Sequence, residues 1–212
     1  MDLVNSKILL NLDYPDLINT CKAVPDFFRL CQTPYFWELK ARYDFGIPHN
    51  ELLLVPGNSN QKRYEFIYNI KNPNTGLLEV VKLGSLSLVK YFLKQGADLH
   101  AMNEFVLRSA AMNGYLDVVK YLVEQGADFH ANDEEALRWA AWYGHLDVVK
   151  YLVEQGADLH MVDEWALRFA AKGGHLDIVK YLVEQGADPQ VILNNTSNYQ
   201  PEIVEYVRNF IK

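Results

Sequence analysis

The chain has 212 residues, half of them apolar, so it can bury a sizeable core and is too apolar to be disordered throughout. Its net charge of −7 argues against a nucleic-acid interface, because such surfaces collect basic residues. No run approaches the roughly 20 apolar residues that span a bilayer, and Met1, Asp2 and Leu3 show no basic start of a secretory signal. We therefore expect an intracellular protein without a membrane or nucleic-acid partner.

The first 71 residues contain most of the prolines and read as short helices that proline separates, because proline cannot continue a helix. Cys21 and Cys31 lie in no metal-binding spacing, and in a chain without an export signal we expect both thiols to stay reduced. The predicted helices cover residues 6–12, with Ser6 as N-cap, and residues 16–24, 26–31 and 35–43.

The order of these segments resembles an F-box over about residues 3–40. The resemblance rests on residues 8–12, 16–24, 28–31 and 34–37. The leucine–proline pair that opens the family is absent here, and the stretch between the first two helices is shorter. The resemblance implies docking to the Skp1 adaptor of a cullin ubiquitin ligase through Pro15, Leu17 and Ile18. The alternative is that these residues pack on one another and cap the rest of the chain.

From residue 73 onward the sequence repeats itself. The nine residues 120–128 recur identically at 150–158 and 180–188, and in a changed form at 90–98, so the period is 30 residues. A fixed period of this size indicates stacked supersecondary units. We divide the chain into an F-box-like domain (1–48), a linker with a capping helix (49–72) and a repeat region (73–212). The repeats cover residues 73–102, 103–132, 133–162 and 163–192, followed by a C-terminal cap over 193–212.

Each repeat is predicted to contain two helices. The first helices cover 103–113, 133–143 and 163–173, with Asn103, Asp133 and Asp163 as N-caps, each followed by a glutamate that favours the helix dipole. An alanine pair in each first helix lets neighbouring helices approach closely. The second helices begin near Leu116, Leu146 and Leu176 and end at a glycine such as Gly156, which we expect in the left-handed conformation. In the middle repeat, the predicted buried stripe is Leu146, Val149, Leu152 and Val153.

The segment 140–158, with its alanine pair and its Gly-His-Leu-Asp start, is similar to an ankyrin repeat. The resemblance implies an all-α solenoid. The units here have 30 residues where ankyrin repeats have about 33, and Glu135-Ala-Leu-Arg138 replaces the Thr-Pro-Leu-His of the family. Because the missing residues fall in the family's β-hairpin finger, we expect plain turns with little or no sheet. Short repeats joined to an F-box-like segment resemble the ankyrin proteins of giant DNA viruses, which places the chain in the host cytoplasm.

The histidines and acidic residues form ladders with the same period, and this regularity argues against catalysis. Stacked helices lie roughly 8–10 Å apart, whereas zinc holds its nitrogen ligands at about 2 Å, so equivalent residues of adjacent repeats cannot share an ion. We therefore assign structural roles to His100, His130 and His160 and to His145 and His175. No catalytic motif is present, and we expect no metal, no cofactor and no enzymatic activity.

Residues that differ between repeats are not needed by the stack and are therefore candidates for partner contact. They lie on the first helix, on the side that faces the concave surface in ankyrin proteins, and tryptophan and tyrosine are common hot spots. For Trp139 and Phe169, packing between repeats is the favoured alternative to contact with a partner. The predicted partner-binding residues are Met112, Asn113, Trp139, Trp142, Tyr143, Trp165 and Lys172.

The leading functional hypothesis is a monomeric adaptor. Its ankyrin face holds a target protein, and its F-box-like segment links the target to Skp1. The second hypothesis is a plain ankyrin scaffold or decoy that binds a host protein without any link to a ubiquitin ligase.

Overall fold

The computed structural model describes residues 9–212, and all regular secondary structure in that range is helical, as predicted. Two compact units are present, one ending at Asp98 and one beginning at Leu99. Residues 6–8 of the predicted helix over residues 6–12, including its Ser6 cap, lie outside the described residues. Of its remainder, residues 9 and 10 are helical and residues 11 and 12 form a turn.

The helices of the first unit begin where the sequence supplies a cap or a proline. The side chains of Asp13, Thr33 and Ser59 each accept a hydrogen bond from a first-turn amide, which satisfies a donor that the helix leaves unpaired. The predicted helix bounds agree within about two residues. The helices are α1 (Tyr14–Ala23), α2 (Pro25–Cys31), α3 (Pro34–Phe45), α4 (His49–Leu52), α5 (Asn60–Asn69), α6 (Pro73–Val80) and α7 (Leu86–Lys94), with a 3-10 turn at Val81–Leu83.

The core of the first unit is aromatic and contains a buried cation. Tyr64 lies 5.4 Å from Trp37 and 5.1 Å from Phe45, measured between ring centroids. Lys40 is only 2% exposed. Its Nζ donates to the carbonyls of residues 10 and 12 and lies 2.8 Å from Asp44 Oδ1. Tyr64 Oη donates to the other oxygen of the same carboxylate at 2.5 Å. The buried charge is therefore fully paired, which is the condition for tolerating it.

The prediction that both cysteines stay reduced is wrong for this structure, because Cys21 and Cys31 form a disulfide. Cys21 lies on the buried side of α1 and Cys31 ends α2, and the packing of these two helices brings their Cα atoms to 6.2 Å. This distance is within the range that a disulfide spans. The expectation rested on the absence of an export signal and took no account of this proximity.

The second unit contains the three complete repeats from residue 103 onward and the cap. Its first helices are α8 (Ala101–Met112), α10 (Ala131–Tyr143) and α12 (Met161–Gly173). Its second helices are α9 (Leu116–Glu124), α11 (Leu146–Glu154) and α13 (Leu176–Glu184). The cap consists of α14 (Gln190–Leu193), a 3-10 turn at Thr196–Asn198 and α15 (Pro201–Phe210). As expected, turns join the repeats where the family's finger would be.

Small and branched side chains fill the core of this unit. The alanine pairs at 110–111, 140–141 and 170–171 are fully buried, which allows α8, α10 and α12 to pack side by side. In the second helix of the middle repeat, Val148, Val149 and Leu152 are buried. Leu146 and Val153, predicted to be buried, are only half-buried, so the buried stripe is centred closer to Val148 than predicted.

Residues of the constant nine-residue segment join adjacent repeats on the outer side of the second helices. The ammonium group of Lys120 lies 5.7 Å from the ring centroid of Tyr151, and that of Lys150 lies 5.6 Å from Tyr181. The series ends in the cap, where Lys180 lies 5.5 Å from Tyr206. A lysine of each repeat thus covers a tyrosine of the next, a contact of the cation–π type. These residues recur because they join the repeats.

The predicted N-caps at Asn103, Asp133 and Asp163 are wrong. The continuous right-handed part of each first helix begins only after residue 104, 134 or 164, because the three residues before it adopt left-handed backbone angles. These left-handed turns cover residues 102–104, 132–134 and 162–164, with φ between 49° and 60°. An N-cap residue instead has extended angles. The glutamates at 104, 134 and 164, predicted to favour the helix dipole in the first turn, are buried.

The segment over residues 49–72 is part of the first unit. The Glu51 carboxylate accepts hydrogen bonds from the Ser85 hydroxyl at 2.5 Å and from the Ser87 amide at 2.9 Å. It thereby supplies an anion at the N-terminus of α7, where the helix dipole favours one. The division at residue 72 stays a prediction.

Candidate protein-binding surface

The seven residues predicted to contact a partner lie on the neighbouring helices α8, α10 and α12 of the second unit. Four of them are at least one-third exposed, including Tyr143 at 49% and Trp165 at 36%. The other three are half-buried. Exposed are Asn113, Tyr143, Trp165 and Lys172; half-buried are Met112, Trp139 and Trp142.

Five aromatic rings join α10 to α12, and we call them the aromatic surface: Trp139, Trp142, Tyr143, Trp165 and Phe169. Phe169 is central, with ring centroids 5.2 Å from Trp142, 6.1 Å from Trp165 and 6.4 Å from Trp139. Trp139 also lies 6.0 Å from Tyr143. Trp139 and Phe169 therefore pack against each other across two repeats, which was the favoured alternative for this pair. Such contacts add roughly 1 kcal/mol per pair to the burial itself.

Arginine side chains from the same helices hold this surface in place. The Arg138 guanidinium lies 4.4 Å from the ring centroid of Trp165 and donates to the carbonyl of Asn132 at 2.8 Å. Arg108 donates to Glu135 Oε2 at 2.6 Å, and Trp139 Nε1 donates to the other oxygen of that carboxylate at 3.0 Å. The rings are thus fixed by polar contacts as well as by one another.

The electrostatic environment of this network favours the charged form of the Glu135 carboxyl group. Burial acts to raise the pKa of Glu135, but the hydrogen bond from Trp139 and the charges of Arg108 and Arg138 outweigh it, so the pKa lies below its ordinary value. Burial lowers the pKa of Arg138, against the opposing charges of Glu135 and Asp133. An arginine so shifted still keeps its charge near neutral pH.

The ladder of His145 and His175 joins adjacent repeats. His145 Nε2 lies 2.9 Å from the carbonyl oxygen of Met112, and His175 Nε2 lies 2.9 Å from that of Trp142. Each imidazole caps the C-terminal end of the preceding first helix, whose carbonyls lack helical partners. Each imidazole also fills the space that a side chain at the corresponding glycine of the preceding repeat would need. A Cβ at Gly144, for example, would lie 2.6 Å from His175. The ladder therefore has the structural role that its periodicity predicted.

The sequence pattern did not reveal the arginines as part of this surface. Arg108, Arg138 and Arg168 recur with the 30-residue period, and a criterion that selects residues differing between repeats leaves them out. Their position, three residues after the variable column 105, 135 and 165, contained the signal: on a helix this spacing places them beside that column.

In the first unit, the three residues expected to dock Skp1 have different environments. Leu17 is fully buried in the unit, Ile18 is half-buried and Pro15 is exposed. Leu17 therefore serves the core, and its predicted contact with a partner does not fit its burial. Ile18 and Phe28 line an open cavity of about 340 Å³ beside the disulfide, and Phe28 is an exposed residue of α2.

No group of three or more histidine, cysteine, aspartate or glutamate side chains among residues 9–212 is placed to hold a metal ion. Within the same range, none of the helices has both the length and the apolar character needed to cross a bilayer.

The sequence matches one known family of repeat proteins. The family model described as ankyrin repeats (3 copies) matches residues 51–133, 77–163 and 132–193, so the matches together cover more than half of the chain. The chain belongs to the ankyrin repeat family. Ankyrin repeats form protein–protein interaction modules, which agrees with a packed stack that displays aromatic side chains. The first match begins at Glu51, within the segment predicted as linker and capping helix. A search of curated proteins found no match.

Proposed function

We propose that this ankyrin protein binds a target protein through the aromatic surface and the first-helix ends around it. The observation that carries the proposal is that Tyr143 and Trp165 are exposed at the border of a packed aromatic cluster. Large aromatic side chains at the centre of an interface contribute roughly 2 kcal/mol or more. Met112, Asn113, Trp142 and Lys172 lie at the C-terminal ends of the first helices and would form the rim.

The rigidity of the cluster supports this role. Trp165 is held between Arg138 and Phe169, and Tyr143 lies against Trp139. Side chains that are already fixed lose little freedom when a partner binds, and this saving favours affinity. Trp139 and Phe169 act as support beneath the contact residues.

The test is quantitative capture from host-cell lysate by the immobilised full-length chain. We expect the double variant Tyr143→Ala and Trp165→Ala to lose more than about tenfold of a specific captured protein at a temperature where its circular dichroism still matches that of the folded wild type.

The matched control is Phe210→Ala. Phe210 has the same exposure as Tyr143, 49%, but lies on α15, away from the aromatic surface. Its capture should equal that of the wild type. Equal capture by the double variant would overturn the proposal, and equal loss in both variants would assign binding to general stickiness.

We further propose that the first unit links the target to Skp1, and through it to a cullin ubiquitin ligase. The F-box resemblance motivates this step. The exposed Phe28 and the half-buried Ile18 at one cavity offer apolar surface for such a contact, whereas Leu17 would act only by shaping the helix beneath them. The chain itself would have no catalytic activity and would act as a monomer.

Purified Skp1 and the full-length chain provide the test of the adaptor step. Binding that is lost in Ile18→Asp or Phe28→Asp and kept in Tyr35→Asp, which changes an exposed residue of α3, would support it. Absence of binding to Skp1 would leave the alternative, a scaffold or decoy that binds a host protein and recruits no ligase.

We place this activity in the cytoplasm of a host cell, in keeping with the resemblance to ankyrin proteins of giant DNA viruses. Fluorescence microscopy of the tagged full-length chain in host cells tests the location, and a signal confined to another compartment would contradict it.

A further inference from the structure

Three repeats contain a left-handed backbone turn, and the repeats before and after them lack it. The left-handed turns at 102–104, 132–134 and 162–164 contain no glycine, although residues other than glycine rarely enter this conformation and pay for it in stability. The turn at 162–164 includes Val162, whose branched side chain makes the left-handed region especially unfavourable. Some contact must therefore hold the turns.

A histidine–glutamate pair spans each of these turns. The histidine precedes the turn and the glutamate is its last residue. The distances from Nδ1 to Oε1 are 2.5 Å for His100–Glu104, 2.5 Å for His130–Glu134 and 2.6 Å for His160–Glu164. The imidazoles are exposed, whereas the glutamates are 5%, 1% and 5% exposed. In all three, the second carboxylate oxygen is buried and accepts no hydrogen bond from the protein.

The remaining copies of the repeat supply an internal control. Thirty residues after His160 and Glu164, the equivalent positions are Gln190 and Asn194, an uncharged pair whose amide groups are 3.4 Å apart. Thirty residues before His100 and Glu104 they are Ile70 and Asn74, and there Pro73 excludes a positive φ by itself, so the copy at 190–194 is the informative control. Neither copy contains a residue with left-handed angles between these positions. The left-handed turn thus occurs only where histidine and glutamate are paired, among the copies that the structure describes.

Charged, polar and aromatic groups face these pairs. His160 is faced by the carboxylates of Glu164, of Asp158 in its own turn and of Asp188 in the next repeat. Arg168 is engaged with Asp163, to whose carbonyl and carboxylate it donates. In the preceding repeat, His130 lies against the Phe129 ring, and Glu134 also accepts the amide of Asp158 at 3.0 Å. Arg138 donates to the carbonyl of Asn132 within the turn.

We propose that the left-handed turn at residues 162–164 is a proton-sensitive lock, in which protonated His160 paired with the buried Glu164 holds the turn and loss of the His160 proton releases it. A buried carboxylate is costly without a cationic partner, and histidine is the side chain that gives up its charge near physiological pH. The release would change the start of the right-handed part of α12, including Trp165.

The direction of the pH effect follows from the third pair. The hydrogen bond with Glu164 and then its charge raise the pKa of His160 above the ordinary value of 6.5. A raised pKa in the folded state means that the pair stabilises the turn fully below pH 6.5 and that this stabilisation is lost as pH rises through the folded-state pKa. The lock is therefore closed in mildly acidic solution and open in mildly alkaline solution.

Imidazole NMR of the full-length chain tests the pair itself. The six histidines are followed by nitrogen-detected titration, with His160 assigned from the His160→Gln variant. We expect the titration midpoint of His160 to fall towards 6.5 in Glu164→Gln, which keeps the side-chain size. A midpoint that is unchanged by this variant would overturn the proposal.

Hydrogen exchange tests the release. After correction for the intrinsic rates, amides of residues 160–166 should lose protection between about pH 5.5 and about pH 8.5 in the wild type, while α9 keeps its protection. The double variant His160→Gln and Glu164→Asn, which copies the uncharged pair at 190 and 194, should show no pH dependence at this site. Wild-type protection that does not change with pH, or a double variant that behaves like the wild type, would overturn the lock even if the pair itself titrates together.

Discussion

The two units of this chain hold their helices together by different means. The first unit relies on contacts that occur once: a disulfide, a buried lysine and a cluster of unlike aromatic rings. The second unit relies on contacts that recur with the repeat, such as the alanine pairs and the histidine ladder. In a repeat array the stability is approximately a sum of equal terms. A single loss should therefore weaken the first unit as a whole and the second unit only locally.

The largest effect is expected at Lys40 in the first unit. Lys40→Ala removes the cation that pairs with Asp44 and the donor to two backbone carbonyls. Because a buried charge then loses its partner, we expect the free energy of unfolding of this unit to fall by about 3 kcal/mol or more. Denaturant titration with peptide-resolved hydrogen exchange measures the two units separately.

The matched control for Lys40 is Lys62→Ala. Lys62 pairs with Glu65 at 2.7 Å on the surface of the same unit, and an exposed pair contributes at most about 1 kcal/mol. If both variants cost the same, the buried lysine is not a distinguishing contact of the first unit. A loss of protection that extends to residues 99–212 would contradict the independence of the two units.

The disulfide should rank second. Replacement of Cys21 and Cys31 by serine removes a crosslink that closes a loop of sequence separation 10, and we expect a cost of about 2–3 kcal/mol in the first unit. Reduction of the wild type by dithiothreitol should give a similar loss, and the second unit should be unaffected. Two titratable thiols in the chain prepared without reductant, with no change of stability on adding it, would argue against the bond.

These contacts also mark what the sequence could and could not predict. Internal repetition gave the 30-residue units, the helix pairs and the cap at Pro201–Phe210, because the same pattern was visible in several copies. The burial of Lys40 and the pairing of Cys21 with Cys31 occur once, and they depend on how α1, α2 and α3 pack. No local pattern records that packing.

The candidate surface shows the same limit at smaller scale. Variation between copies correctly separated the column of Met112, Trp142 and Lys172 from the constant core, since these three are half-buried or exposed. The same criterion missed Arg138, which is constant in type and yet packs on Trp165. It also missed the left-handed turns, because nothing in the composition of Val162-Asp-Glu164 indicates positive φ angles.

A smaller effect is expected in the histidine ladder, where two substitutions should cost similar amounts of stability. His145→Ala and His175→Ala each remove one hydrogen bond to the preceding repeat. Each should cost about 1 kcal/mol, and the two costs should be similar because the surroundings repeat. Denaturant unfolding followed by tryptophan fluorescence measures both. A cost several times larger at one site would show that the repeats are not energetically equivalent.

The smallest effect expected is a gain of stability at Val162. This residue has a φ of 49°, which a β-branched side chain adopts only under constraint, whereas asparagine tolerates the left-handed region. The equivalent residue one repeat earlier is Asn132, also with positive φ. Val162→Asn should therefore stabilise the second unit by up to about 1 kcal/mol, measured by thermal denaturation. The reverse change, Asn132→Val, should destabilise it by more than that, because it also removes the hydrogen bonds between Asn132 and Asn103. If Val162→Asn destabilised the unit, apolar packing of this side chain would outweigh the backbone strain.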